Sequence, residues 1–312
     1  MDPPLRPTPP VPTVPGWALP RGVVSDDGEA AFLVGAALNA LDNLVRADPP
    51  WAGVWRQRLA LSAAAAAVRR AGRTEDEAAL RDAWYLCQPG DDPGPAGRIL
   101  AAWRRLADRA PTGEAAALHS AAALLGIGTA GLADLPGQIA DLTQSRRPAP
   151  FIAASAMAQA STARPDGELL AWWLADQAIA LRMRWAFPVP LLMGQAHSGL
   201  FRGPGRGGRL QPGADGFQRA VCLALVQGAD AACRLAGDLA PRAARLEAVA
   251  PKLRAKGAGE AVRRLLDDDA VPGTLQTEDL SRWGARRLFE RLTTLGAVRE
   301  LTGRPAFRLY GL

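Results

Sequence analysis

The sequence predicts a mainly α-helical protein: a multi-helical bundle that ends in a small unit of three helices and a β-hairpin. Three observations carry that expectation. Apolar residues make up 48% of the chain, and alanine and leucine, both strong helix formers, dominate them. The apolar positions recur near a 3.6-residue period over most of the length. Prolines, glycines and capping residues cut this pattern into segments of helix size.

The chain of 312 residues can bury a sizeable core. Its 37 basic and 31 acidic residues leave a formal charge of +6. Residues 281–312 alone hold seven Arg against two Glu. Most of the surplus therefore sits in the last tenth of the chain, as a local anion-binding surface requires. Three cysteines, Cys87, Cys222 and Cys233, show no CxxC spacing. They read as small hydrophobes in a reducing compartment, not as a disulfide framework or a zinc site. His119 and His197 are the only histidines. No metal and no cofactor are expected. The N-terminus has no signal-peptide pattern, and no uninterrupted apolar run reaches about 18 residues. A soluble, cytoplasmic protein without a membrane span follows.

Residues 1–20 contain eight prolines and read as a poorly ordered extended tail. A helical domain then spans 21–195. Asp26 and Glu29 have capping-box spacing, ahead of Phe32, Leu38, Leu41, Leu44 and Val45. Pro49 and Pro50 end that helix. Trp51, Val54, Trp55, Leu59 and Leu61 lead a second one to Arg70. Thr74 and Glu77 give another capping box, and Leu80, Trp84 and Cys87 share the face behind it. Residues 88–97 are a turn-rich loop. Helical pattern resumes over 96–110, 114–125, 136–142 and 151–159, and again from Pro165 through Trp172, Trp173, Leu174, Ile179, Leu181 and Met183. The nine tryptophans are expected to build the core.

Residues 196–216 hold seven glycines, two prolines and three arginines, which reads as a flexible connection. Residues 217–256 complete the helical domain with two helices, 217–239 and 241–256, the second kinked at Pro251. Cys222 and Cys233 lie three helical turns apart and share an inward face.

From residue 257 to 312 the pattern changes. A first helix over 260–268 buries Ala261, Leu265 and Leu266, and Pro272 and Gly273 break it. A short second helix is expected over 274–280. Ser281 is a natural N-cap for a third, SRWGARRLFERLTTLG. There Ala285, Leu288, Phe289, Leu292 and Leu295 form one stripe, and Gly296 suits the C-cap. Two β-prone runs, 298–301 and 306–310, flank Thr302-Gly303-Arg304-Pro305, a hairpin signal. Helix, short helix, basic helix, hairpin is the order of a winged helix-turn-helix, whose third helix enters the DNA major groove. Arg282, Arg286, Arg287 and Arg291 on that helix, Arg304 at the wing tip, and Arg308 are candidate DNA contacts, through phosphate or guanine. Trp283 is placed against sugar or base edges.

Longer motifs carry a resemblance. PGWALPRG, ADPPWAGVWRQRLAL, DEAALRDAWYL, PGDDPGPAGRIL, APKLRAKGAG and GARRLFERLTTLGAVRELTGRPAFRLYGL resemble an uncharacterised bacterial family, domain of unknown function 1403, over nearly the whole chain. That resemblance implies no activity and no catalytic residue. The last of these stretches also resembles the winged-helix tail of Fic-type proteins, but the His-Pro-Phe signature of Fic catalysis is absent.

No catalytic site is assigned. The acids at Glu75, Asp76, Glu77 and Asp82, and at Asp91 and Asp92, suit helix starts better than metal binding or acid–base chemistry. Asp267-Asp268-Asp269 reads as a solvated helix end. The glycine-rich stretch 203–208 lacks the GxxxxGK[ST] pattern of a phosphate loop. The sequence thus points to a non-enzymatic DNA-binding protein. A helical scaffold whose C-terminal unit docks a protein partner is the alternative, and the helical body can supply partner contacts or a homo-oligomer. An enzyme with its site among the helices is the remote one.

Overall fold

Asp26 opens the first long helix. Its carboxylate accepts the Glu29 N–H at 2.8 Å, so Asp26 caps α1 (Asp27–Ala47) as the N-cap half of the predicted box. The fold is a computed structural model in which residues 11–88, 90–203, 208–304 and 307–312 are described. The helices that follow are α2 (Ala52–Arg70), α3 (Glu77–Leu86), α4 (Gly94–Asp108), α5 (Ala115–Leu124), α6 (Leu135–Gln144), α7 (Ala149–Ala163), α8 (Glu168–Met183), α9 (Phe217–Val249), α10 (Ala258–Asp267) and α11 (Arg282–Thr294). Three short strands, β1 (Val271–Pro272), β2 (Arg299–Glu300) and β3 (Leu309–Gly311), form an antiparallel sheet in the order β1-β3-β2. The protein is mainly helical, as expected.

The bundle is built on pairs: α1 lies along α9, α7 along α8 and α2 along α4. Tryptophans tie the pairs together, because a buried indole must place its N–H. Trp55 donates from α2 to the Ala232 carbonyl of α9 at 2.9 Å, and Trp173 donates from α8 to Ala102 of α4 at 3.1 Å. Trp172 and Trp173 are core residues as predicted, whereas Trp17 and Trp283 are exposed. Cys222 and Cys233 share the buried face of α9, where burial raises the thiol pKa values to about 12 and about 11. Neither is a thiolate at neutral pH. Of the acids read as helix-start residues, Asp76 caps α3 and Asp92 accepts from Gly94 at the start of α4; Glu75 instead pairs with Arg73 at 2.7 Å, and Asp82 lies inside α3.

Asp176, 1% exposed on α8, accepts the N–H groups of Leu191 and Leu192 at 3.1 and 3.2 Å and so pins the chain after α8. Burial pushes its carboxyl up to about 8, against the pull of those two hydrogen bonds. The folded protein therefore holds a proton here that the unfolded chain, near its ordinary 3.8, has released. Stability is expected to fall as pH rises from about 4 to about 8 and then to level off. Urea titrations across that range check this contribution, which Asp176→Leu is expected to abolish.

Several expectations are corrected. Asp76, not Thr74, caps α3. The two helices expected over 217–256 are one, α9, with Pro241 inside it. Core contacts from Phe217 to Leu246 hold both halves in line where propensity alone predicts a break. Pro251 sits beyond the helix end, in a 3₁₀ turn over Ala250–Lys252. The described parts of the glycine-rich 196–216 segment are tethered, not free. Phe201 is buried between Trp172 and Phe217, with ring centroids 5.0 and 5.9 Å away, and Arg202 bridges Arg209. Its centre, 204–207, lies outside the described residues. Of the proline-rich tail, 1–10 lie outside them too. Residues 11–20 lie on the body, with Val14 and Ala18 buried and Trp17 stacked on Phe32 of α1. Helix α1 and the segment Phe217–Lys252 also meet the length and apolarity of a bilayer span by composition, where none was expected.

The acid run is the largest revision. Asp267 is the exposed end of α10, as expected, but Asp268 and Asp269 form the joint between the C-terminal segment and the bundle. Helix α10 approaches α2 so closely at Gly53 that a Cβ there would stand 2.7 Å from the Asp267 Cα. Asp268 receives the Arg104 guanidinium at 2.9 Å on both oxygens. Asp269, 2% exposed, is clasped by Arg58 and Arg81. Tyr85 donates to the Ala270 carbonyl, and burial with the nearby Asp268 charge keeps its phenol neutral.

Candidate nucleic-acid interface

Helix α11 is positioned by its two ends and one face. Ser281 Oγ accepts the Gly284 N–H at 3.2 Å, a standard N-cap bond. At the other end Gly296 takes φ +63°, a conformation that glycine adopts without cost. Gly296 and Ala297 then donate back to Thr293 and Leu292, both at 2.9 Å, closing a Schellman motif. Ala285, Leu288, Phe289 and Leu292 face inward. Phe289 stacks on Tyr310 of β3, with centroids 4.7 Å apart and planes 6° from parallel.

The sheet forms around that stack. Val271 pairs with Tyr310, Arg299 with Gly311 and Glu300 with Tyr310. β3 is therefore central, with β1 and β2 on either side. The expected strand 298–301 shortens to β2. The expected 306–310 becomes β3, shifted by one residue at its end, and Pro305 and Ala306 lie outside the described residues. β1 was not anticipated, since Pro272 and Gly273 read only as a break. The short helix expected over 274–280 is absent. Leu275 donates to Pro272 in a turn, and Thr277 and Leu280 exchange backbone bonds at 3.0 and 3.3 Å. That turn uses the amides a helix would need.

All seven predicted contact residues are exposed, but not all of them line the same cavity. Arg282, Trp283 and Arg286 on α11 and Arg308 before β3 line a single cavity of about 320 Å³. Gly273, Thr274 and Tyr310 complete its wall. Trp283 is 73% exposed, so its indole face is open to solvent. Arg287 and Arg291 do not line the cavity; Arg287 neighbours Trp283 one turn on, and Arg291 follows one turn further along the same outward side. Arg304 pairs with Asp82 of α3 at 3.1 Å while its side chain stays 59% exposed, so the wing-tip residue is tied to the bundle at the surface.

Local acids further divide the charge. Arg286 pairs with Glu290 one turn on at 3.2 Å. Arg308 lies 3.9 Å from Glu300. Its guanidinium pKa is raised, first by hydrogen bonding to Tyr310 and then by Glu300. Among the described residues, Arg282, Arg287 and Arg291 form no ion pair. Arg299, which the sequence reading passed over, lies exposed on β2. Its pKa is lowered by partial burial and by the charges of Arg242, Arg58 and Arg81. Among the described residues no group of three or more His, Cys, Asp or Glu is arranged to hold a metal ion.

The family described as protein of unknown function (DUF1403) matches residues 6–312. The chain belongs to this family. No curated protein matches it. The DUF1403 description carries no activity, so the chemistry of this face is argued from its own geometry.

Proposed function

We propose that the C-terminal segment of this DUF1403 protein, 257–312, is a winged-helix module that binds nucleic acid, with no catalytic step. The observation that carries the reading is the outward side of α11, where Arg282, Arg287 and Arg291 stand exposed without an acid partner among the described residues. The element order α10, β1, α11, β2, β3 and the sheet order β1-β3-β2 agree with such a module lacking its second helix. In this reading residues 21–256 are a helical domain for partner or self-contacts, and the protein acts in the cytoplasm. Each free arginine that meets a phosphate releases a counterion, so binding falls steeply with salt. Anisotropy titrations of a 20-base-pair duplex against NaCl test this. Arg287→Ala with Arg291→Ala is expected to weaken binding to all sequences and to lower the salt slope by about two. Duplex affinity that is unchanged in this pair removes the reading.

Protein docking is the second reading, and one observation favours it: an exposed tryptophan beside arginines is the composition of an interface hot spot. A partner retained after nuclease treatment and lost with residues 257–312 would select it.

A further inference from the structure

The cavity beside α11 has a shape that duplex binding does not use. A helix read by the major groove presents a convex face to base edges. Here three guanidiniums and an open indole instead surround a hollow. Its volume of about 320 Å³ lies at the small end of ligand sites, roughly 300–1,000 Å³, so it holds one ring system with its attached group and not a double strand.

We propose that this cavity takes one unpaired nucleotide of a single strand, its base on the Trp283 indole and its phosphodiester on Arg282 with Arg308. The inference rests on the nucleic-acid reading above and names the form of strand that this side of α11 takes.

Two features favour that ligand. An exposed indole offers its π-face, and only a base out of the stack can lie on it. Inside a duplex both faces of a base are already covered. The charge count agrees as well. Of the three guanidiniums, Arg286 and Arg308 each face one carboxylate, Glu290 and Glu300. Arg282 has none among the described residues. One positive charge remains, which matches the single negative charge of a phosphodiester. Both ion pairs are solvent-exposed, and such pairs are weak enough for an incoming phosphate to rearrange. Tyr310, which lines the cavity, is held in place by its stack on buried Phe289.

The test uses the full chain with a labelled 12-nucleotide single strand, the corresponding duplex, and free deoxyadenosine monophosphate as competitor. The single strand is expected to bind the more tightly per phosphate. Trp283→Ala is expected to weaken single-strand binding roughly five- to a hundredfold, the range for loss of one stacked base. Duplex affinity is expected to fall several-fold less, and Trp283→Phe to keep most of the single-strand affinity. Unchanged single-strand affinity in Trp283→Ala, or equal losses for both forms, overturns the pocket. Duplex binding that still depends on Arg287 and Arg291 would then leave the broader reading standing. Full displacement by the mononucleotide at the strand's own concentration overturns it in favour of a free nucleotide. Binding of neither strand form overturns both proposals.

Discussion

Asp269→Asn is expected to destabilise the protein by about 3–5 kcal/mol, the cost of leaving buried charges uncompensated. Asp269 is the acid between Arg58 and Arg81, whose side chains are only 12% exposed. In the wild type the carboxylate offsets the desolvation of both guanidiniums, and its backbone carbonyl takes a further bond from Arg58 at 3.3 Å. An asparagine keeps the shape but not the charge. Two like charges then face each other in a dry joint, with Arg299 adding a third nearby. Urea denaturation followed by circular dichroism reads the loss directly. The triple change Asp269→Leu, Arg58→Met, Arg81→Leu removes all three charges together and is expected to recover most of it, since apolar replacement of a buried ion cluster is often neutral or better. A shift below about 0.5 kcal/mol in Asp269→Asn, the size of an ordinary surface change, would mean that water reaches this joint.

That cluster also shows where sequence reasoning stops. The partners of the acid run are distant in sequence: Arg58 lies 211 positions from Asp269, Arg81 lies 188 from it, and Arg104 lies 164 from Asp268. Three consecutive acids have a local meaning, a solvated helix end, and nothing nearby contradicts it. Arg304 is a similar case. A basic residue at a hairpin tip suggests an outward contact, and only the docked bundle supplies Asp82.

Local signals were legible where local bonds decide. Asp26, Ser281 and Gly296 act at the helix ends their residue types imply, because a cap is made within a few residues. The inward stripe of α11 was legible for the same reason: its period is set by the helix itself. The missing helix over 274–280 and the strand β1 went the other way. β1 forms by pairing with β3, continued by Gly273 donating to the Arg308 carbonyl at 2.8 Å, a contact between distant segments that no window of local sequence contains. All seven residues of the candidate site are exposed. Which of them line the cavity, and that Arg304 is tied to α3, follows from where β3 and α3 sit and has no local sequence signal.

Two aromatic substitutions on α11 separate what holds this helix from what it displays. Phe289→Ala removes a fully buried ring and is expected to cost about 3–5 kcal/mol. Part of that cost is the stack on Tyr310, since paired rings contribute about 0.5–1.5 kcal/mol beyond the area they bury. Trp283→Ala, six residues earlier on the same helix, removes a larger ring that is 73% exposed. It is expected to change stability by no more than about 0.5 kcal/mol. Thermal melts of the two variants make the comparison. A Trp283→Ala loss approaching that of Phe289→Ala would mean that the indole packs against the protein, and its value as a platform for a ligand would go with it. Equal stability to wild type leaves a large apolar side chain held in water on a rigid helix, beside three arginines, with no contribution to the fold to explain it. Tryptophan and arginine together are enriched where binding energy concentrates, and strand binding is the property that its loss should then change.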